Sequence, residues 1–253
     1  MKTVIISAAV IFLLVFAGCN NDPEPYPLEV YDTNGIPVPL VPAGTVTVTP
    51  VHRVSTESWR LRHIQKVAEV KNDQKIIFFG DSITELWERQ GYVHWVEMNT
   101  HYGNKLTNLG FSGDRTQNVI WRLLNGEFPP GINPEYVVLK IGTNNTEPAA
   151  HTAAGIGEIV KIIHQRSPQT IILLFSILPR GSGLSYSATQ RNSDINNMIK
   201  NYDGYLNIRY IDIFDSYLNP DGSLKTELFY DNLHMTTEGF EIWKNKIIEI
   251  IGD

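Results

Sequence analysis

The chain has 253 residues, of which 42% are hydrophobic and 10% aromatic, so it can bury a sizeable core in one or two domains. Its formal net charge is −6. It has no long basic run, which argues against a nucleic-acid-binding surface, and an acidic substrate would need a local basic pocket. The sequence lacks the spacings of phosphate-binding loops, dinucleotide-binding loops and zinc sites, so we expect neither a metal nor another cofactor.

The N-terminus predicts an export signal. Met1 and Lys2 precede the apolar run VIISAAVIFLLVFA, which is shorter than the ~20 residues that span a bilayer. Cys19 is the only cysteine, and the run VFAGC resembles a bacterial lipobox. We therefore expect residues 1–18 to be a signal peptide and Cys19 to be lipidated. The protein would then be exported to the cell envelope and anchored to a bacterial membrane, facing the periplasm or the surface. An ordinary cleaved signal with an unmodified cysteine is the alternative.

A proline-rich segment follows the cysteine. Residues 20–50 contain seven prolines and few helix formers, which is typical of an extended tether. Within it the alternating run TVTVT could form a short strand. We assign residues 19–54 to the lipidated cysteine and a flexible tether, and residues 55–253 to one domain.

The domain begins with an amphipathic helix over residues 55–70, where apolar residues recur at spacings of three and four. Short apolar runs then alternate with helical patterns. The predicted strands are 75–79, 105–109, 136–141, 170–177 and 207–213. The helices that follow them are predicted at 83–90, 116–126, 153–165, 192–202 and 239–251. This alternation predicts an α/β fold in which a five-stranded parallel sheet lies between two helical layers.

Ligands of such sheets bind beyond the carboxyl ends of the strands. The segments found there are GDS, NLGFSGD, GTNN and FYDNLH. Ser82 of the first segment has two interpretations. With Glu85 three residues later it is typical of a capping box, in which the serine caps a helix. The other interpretation is a nucleophile that attacks a carbonyl carbon.

Ester hydrolysis by a serine also needs an imidazole, a carboxylate that orients it, and donors for the oxyanion. His234 follows Asp231 by three residues, and in a single turn this spacing places both side chains on one face. Gly113 would let a backbone NH approach a ligand closely, and the Asn144 amide could reach the same oxygen. Each of these residues is also common in ordinary turns and loops.

The four segments, in this order, resemble those of the SGNH or GDSL hydrolases. Within that superfamily GFSGDRTQNVIWRLLNGE, GTNN and LPRG are similar to the catalytic subunits of platelet-activating-factor acetylhydrolase isoform Ib, over residues 59–252. The resemblance implies a flavodoxin-like sandwich, the triad Ser82, Asp231 and His234, and no cofactor. It further implies an oxyanion hole made by the Ser82 NH, the Gly113 NH and the Asn144 side chain.

Ser112 is a rival hydroxyl, because it stands where the family often has a glycine. No helix start follows it, and it does not complete a GxSxG pattern, so we expect Ser82 to be the nucleophile.

The resemblance implies a serine esterase that removes short acyl groups, acetyl above all, from a small-molecule, lipid or glycan ester. Two alternatives stay open: a carbohydrate O-acetylesterase acting on envelope or dietary glycans, and a catalytically inactive surface binding lipoprotein. The expected partners are the ester substrate and, through Cys19, the membrane. The sequence leaves the oligomeric state open, a homodimer included.

Overall fold

A computed structural model describes residues 30–31, 37–38, 41, 44–181 and 188–252. The predicted signal peptide, Cys19 and most of the predicted tether lie outside the described residues. Two short strands, β1 (Val30–Tyr31) and β2 (Pro37–Val38), pair antiparallel. No helix in the described ranges is both long and apolar enough to cross a membrane.

A five-stranded parallel sheet forms the centre of the domain. Its strands are β3 (Ile76–Gly80), β4 (Leu106–Gly110), β5 (Tyr136–Lys140), β6 (Ile171–Phe175) and β7 (Ile208–Ile211). Their order across the sheet is β4-β3-β5-β6-β7, the flavodoxin-like order. Gly80 pairs with Gly110 on one side and with Lys140 on the other, so β3, β4 and β5 end at the same level.

Helices cover both faces of this sheet. They are α1 (Glu57–Glu69), α2 (Ser82–Glu85), α3 (Tyr92–His101), α4 (Thr116–Arg122), α5 (Ala149–Arg166), α6 (Ala188–Ile199) and α7 (Thr237–Ile251). Successive residues of β3 point to opposite faces, as the pleat of a strand requires. Ile77 and Phe79 join a core with α4, α5 and α6, whereas Ile76 and Phe78 join a core with α3 and α7. The predicted α/β/α sandwich and its parallel sheet are confirmed.

Helix α3 has no counterpart in the sequence prediction. Met98 is its only fully buried residue, whereas Tyr92, Val93 and Val96 are exposed. Its apolar residues therefore do not form the single buried stripe on which a periodicity argument depends.

The segment before α1 differs from the prediction in two ways. TVTVT forms a 3-10 turn at Val46–Val48 instead of a strand. The turn also packs against the domain, because the carbonyl of buried Thr47 accepts a 3.0 Å hydrogen bond from the Thr116 hydroxyl. The Val51 carbonyl likewise accepts from the Asn118 amide at 2.8 Å. The packed domain thus includes residues that the sequence analysis assigns to the tether.

Candidate active site

The short helix α2 lies directly on the end of the sheet. A Cβ atom added to Gly110 would lie 2.2 Å from the Glu85 nitrogen, and one added to Gly80 would lie 2.5 Å from the Lys140 carbonyl oxygen. No side chain fits at either position: Gly110 allows the backbone of α2 to touch the end of β4, and Gly80 leaves room for the Thr84 side chain of α2 and for β5. This contact brings Ser82, the first residue of α2, to the carboxyl edge of the sheet.

The N-cap of α2 is Asp81, not Ser82. One carboxylate oxygen of buried Asp81 accepts from the Ile83 NH at 3.0 Å. The predicted capping box is therefore wrong: Ser82 is inside the helix, and Glu85 turns to another partner. The Glu85 carboxylate accepts from the Ser112 NH at 2.6 Å and so anchors the loop after β4. Because Asp81 does the capping, the Ser82 hydroxyl is left for other contacts.

Ser82, His234 and Asp231 form a hydrogen-bonded chain. The Ser82 Oγ lies 2.9 Å from His234 Nε2, and His234 Nδ1 lies 2.6 Å from an oxygen of Asp231. The other Asp231 oxygen accepts from the NH groups of Leu233 at 3.1 Å and His234 at 2.7 Å. The loop that carries Asp231 is folded back by Asn232, whose φ is +61°.

The electrostatics of this chain favour an ionised carboxylate. Partial burial acts to raise the pKa of Asp231, but the hydrogen bonds and charge of His234 outweigh burial and lower it. An ionised Asp231 accepts the Nδ1 proton of the imidazole, which leaves the Nε2 lone pair directed at the Ser82 hydroxyl. This arrangement can withdraw a proton from the serine.

Three potential donors, the Ser82 NH among them, follow the ends of the adjacent strands β3, β4 and β5. The Asn144 amide, after β5, donates one hydrogen to the Asp114 carbonyl at 3.0 Å and retains a second hydrogen. Gly113, after β4, has a φ of +77°, a conformation that favours glycine. Within the described ranges the backbone NH groups of Ser82 and Gly113 donate to no protein acceptor. These groups therefore retain unused donor capacity.

A buried ion network, which no sequence motif predicts, supports the Gly113 loop. Asp114 accepts from Trp59 at 2.7 Å, Arg53 at 3.1 Å and Arg122 at 2.8 Å. Arg122 also pairs with Glu127 and is fully buried. Burial acts to lower the pKa of Arg122, but its two carboxylate partners outweigh burial and raise it, so the guanidinium stays charged. The network could not be predicted from residue spacing, because its members come from four separate segments of the chain.

A second pair of buried charges includes Asp81, the residue before Ser82. Lys140, at the end of β5, is 1% exposed, and its Nζ lies 5.2 Å from the centre of the Trp243 ring. Burial lowers the pKa of Lys140 to about 8, although the Asp81 charge opposes this shift. Burial also raises the pKa of Asp81 above its usual value, while the Lys140 charge acts to lower it. Each charge thus moderates the cost of burying the other.

The rival hydroxyl, Ser112, is exposed on the loop after β4. Its NH is bound by Glu85, and its carbonyl accepts from Arg53 at 2.8 Å. Among the described residues its hydroxyl forms no hydrogen bond to a histidine, in contrast to that of Ser82.

A family model of GDSL-like lipases and acylhydrolases matches residues 78–242, which is more than half of the chain. The chain belongs to the GDSL-like lipase/acylhydrolase family. It is therefore an ester hydrolase, which favours the enzyme over the inactive binding protein. The matched residues include Ser82, Gly113, Asn144, Asp231 and His234.

Curated relatives of this GDSL-like acylhydrolase agree with the family match. This acylhydrolase is 33% identical over 187 residues to platelet-activating factor acetylhydrolase IB subunit alpha2 of Rattus norvegicus. The match covers 73% of this chain and 79% of the relative. The chain is 31% identical over 198 residues to subunit alpha1 of Homo sapiens, covering 76% of this chain and 82% of the relative.

Solved structures share the fold. A GDSL-like lipase from Bacteroides thetaiotaomicron has a TM-score of 0.63 at 20% identity, covering 76% of this chain and 96% of that one. An acetyl-xylooligosaccharide esterase from Geobacillus has a TM-score of 0.57 at 15% identity, covering 73% and 96% respectively. At these identities the likeness concerns the fold alone.

The contact between α2 and the sheet generates the first prediction. Gly110→Ala should lower the free energy of unfolding by about 3 kcal/mol and reduce ester hydrolysis, because its Cβ meets backbone that cannot rotate away. Denaturant unfolding and initial rates measure the two effects. The control is Gly103→Ala, which has a φ of +72° but nothing within 4 Å. It should cost about 1 kcal/mol and leave the rate unchanged. Wild-type stability and activity in Gly110→Ala would contradict the close approach.

Proposed function

We propose that the enzyme hydrolyses short-chain acyl esters, acetyl esters above all, through a triad of Ser82, His234 and Asp231. The observation that carries the proposal is the chain of hydrogen bonds from the Ser82 Oγ through His234 to Asp231, at 2.9 and 2.6 Å. The order of roles follows from it: the hydroxyl faces the imidazole, and the carboxylate holds the far side of the ring.

In the first half of the reaction the Ser82 Oγ attacks the acyl carbon while His234 Nε2 takes its proton. The carbonyl electron pair moves onto the oxygen, which becomes an oxyanion. When this pair returns, the bond to the leaving alkoxide breaks, and His234 gives its proton to the alkoxide. The acyl group stays on Ser82. Water then attacks the acyl-enzyme with His234 as base, and the acid and free Ser82 are released.

We propose that the Ser82 NH, the Gly113 NH and the second hydrogen of the Asn144 amide hold the oxyanion. The support is that the two NH groups have no acceptor within the described ranges and that the Asp114 carbonyl fixes the Asn144 amide. Donors fixed before the reaction stabilise the developing charge without the cost of reorganising.

The relatives support a choice of acyl group and of alcohol. The curated proteins at about one third identity are acetylhydrolase subunits by name, which supports acetyl as the acyl group. A glycan O-acetyl ester is the second candidate for the substrate. It is supported by the structural neighbour that acts on acetyl-xylooligosaccharides and by the expected export to the envelope.

The triad predicts which serine is essential. Ser82→Ala should reduce hydrolysis of an aryl acetate by at least about a thousandfold, because the nucleophile is lost. Initial rates on protein shown to be folded by circular dichroism measure this loss. Ser112→Ala is the matched control and should keep wild-type turnover. Normal turnover by folded Ser82→Ala, or loss of turnover in Ser112→Ala alone, would remove Ser82 from the mechanism.

The oxyanion hole makes a separate prediction. Asn144→Ala should raise the activation barrier by about 3 kcal/mol, seen mainly in kcat, because the donor acts on the transition state. Asn197→Ala, at an exposed position of α6, serves as the control and should have wild-type kinetics. An unchanged kcat in Asn144→Ala would show that this amide is not a donor to the oxyanion.

We also propose that Cys19 carries lipid and holds the enzyme at an envelope membrane. Several acyl chains on one residue would suffice for stable anchoring, whereas a single chain would not. Growth of an expressing bacterium with labelled palmitate should label the wild-type protein but not Cys19→Ala, which should leave the membrane fraction. Equal labelling of both proteins, or of neither, would end the proposal.

A further inference from the structure

Two arginines converge on one carbonyl oxygen beside the active site. Arg180 donates to the Thr143 carbonyl at 2.9 Å and contacts the Thr143 hydroxyl at 3.3 Å. Arg191, from α6, donates to the same carbonyl at 3.2 Å. The two guanidinium groups are therefore neighbours, although like charges repel. Such a pair is stable only if counter-charge or solvent compensates it.

The segment that carries Arg180 contacts two loops of the candidate active site, the loop after β5 and the loop that carries His234. Thr143 directly precedes Asn144, on the proposed oxyanion side. Gly181, the residue after Arg180, donates its NH to the Asn232 carbonyl at 2.8 Å, within the loop that carries the Asp231–His234 pair. The Arg180 charge also acts on Asp81, which directly precedes Ser82. Arg180 thus bridges the two sides of the site.

The described residues supply little negative charge to this pair. No carboxylate among them lies within 4.0 Å of Arg180 or Arg191. The carboxylate whose charge acts to raise the pKa of Arg191 is Glu147. Glu147 lies 3.7 Å from a third arginine, Arg115, and also accepts from Asn145 at 3.1 Å. Burial lowers the pKa of Arg191, and the charges of Arg180 and Arg115 lower it further.

Donor capacity at the pair is also unused. A guanidinium has five N–H donors, yet among the described residues Arg191 makes one hydrogen bond, and its buried Nε has no partner there. In a chain with a net charge of −6, this cluster is a local concentration of positive charge of the kind that an acidic substrate would need.

We propose that Arg180 and Arg191 form an anion-binding subsite for the alcohol part of the ester. The leaving alcohol carries a carboxylate or phosphate group close to the scissile bond. The planar fork of a guanidinium matches both groups, and a partly buried pair binds them more strongly than exposed lysines would. The inference rests on the proposed triad, because the subsite is defined by its place beside Ser82.

The test compares aryl acetates whose alcohol part is either anionic or neutral, in the wild type and in an arginine variant. We would measure kcat/KM for the 2-, 3- and 4-acetoxybenzoates and for their uncharged methyl esters. The wild-type enzyme should prefer at least one acetoxybenzoate over its methyl ester. Arg191→Gln should reduce this preference about tenfold, mainly through KM, since a charge-assisted hydrogen bond is lost. Arg191→Lys should retain part of the preference, and added salt should weaken it.

Arg209→Gln provides the matched control, because it removes the same charge from an exposed position on β7. It should leave the preference unchanged. If Arg191→Gln slows charged and neutral esters equally, the arginines only support the Thr143 loop, and the subsite is refuted. Equal kcat/KM for each charged and neutral pair in the wild type would refute it too. In both outcomes the wild-type enzyme still hydrolyses neutral esters, so the triad stands whether or not the subsite exists.

Two further substrates distinguish whether the anionic group belongs to a glycan or to a lipid. One is an acetylated uronic acid glycoside, and the other is an acetylated glycerol phosphate lipid. Arg191-dependent hydrolysis of the first would assign the subsite to glycan carboxylates, and that of the second to lipid phosphates. Either result supports the subsite, whereas turnover of both that is independent of Arg191 overturns it.

Discussion

The contact of α2 with the end of the sheet is the constraint on which the site depends. It requires glycine at Gly80 and Gly110, because any side chain there would overlap backbone or the Thr84 side chain. The contact places Ser82 level with the ends of β3, β4 and β5, where the loops after all three strands can reach one substrate atom. In parallel sheets, ligands bind at the carboxyl edge. Here the absence of side chains at the two glycines lets α2 lie directly against that edge.

Three carboxylates near Ser82 have different roles, and none of these roles requires the Ser82 hydroxyl to cap the helix. Asp81 caps α2, Glu85 anchors the loop after β4, and Asp231 orients His234. If Ser82 had capped the helix itself, its lone pairs would have been committed to backbone NH groups. The helix cap, Asp81, and the proposed nucleophile, Ser82, are adjacent residues with different roles. One short segment of sequence can therefore both begin a helix and supply a nucleophile.

Sequence periodicity predicted the sheet, most helices and the two core faces, because buried strands and amphipathic helices have characteristic apolar patterns. It missed α3, whose outer face carries exposed apolar residues, and it treated the turn at Val46–Val48 as part of a tether. It placed the candidate site residues in loops after strands, and the structure brings Ser82, Asp231 and His234 into contact. The Asp114–Arg122 network and the Arg180–Arg191 pair could not be predicted, because such contacts join distant segments without a fixed spacing.

Activation of Ser82 by His234 can be tested by covalent labelling of the serine. A fluorophosphonate that reacts with activated serines, followed by peptide mass spectrometry, locates the modified residue. We expect a single adduct on Ser82 that is absent from the His234→Ala variant. An adduct on Ser112, or an active enzyme whose Ser82 stays unmodified while the probe abolishes its activity, would contradict it.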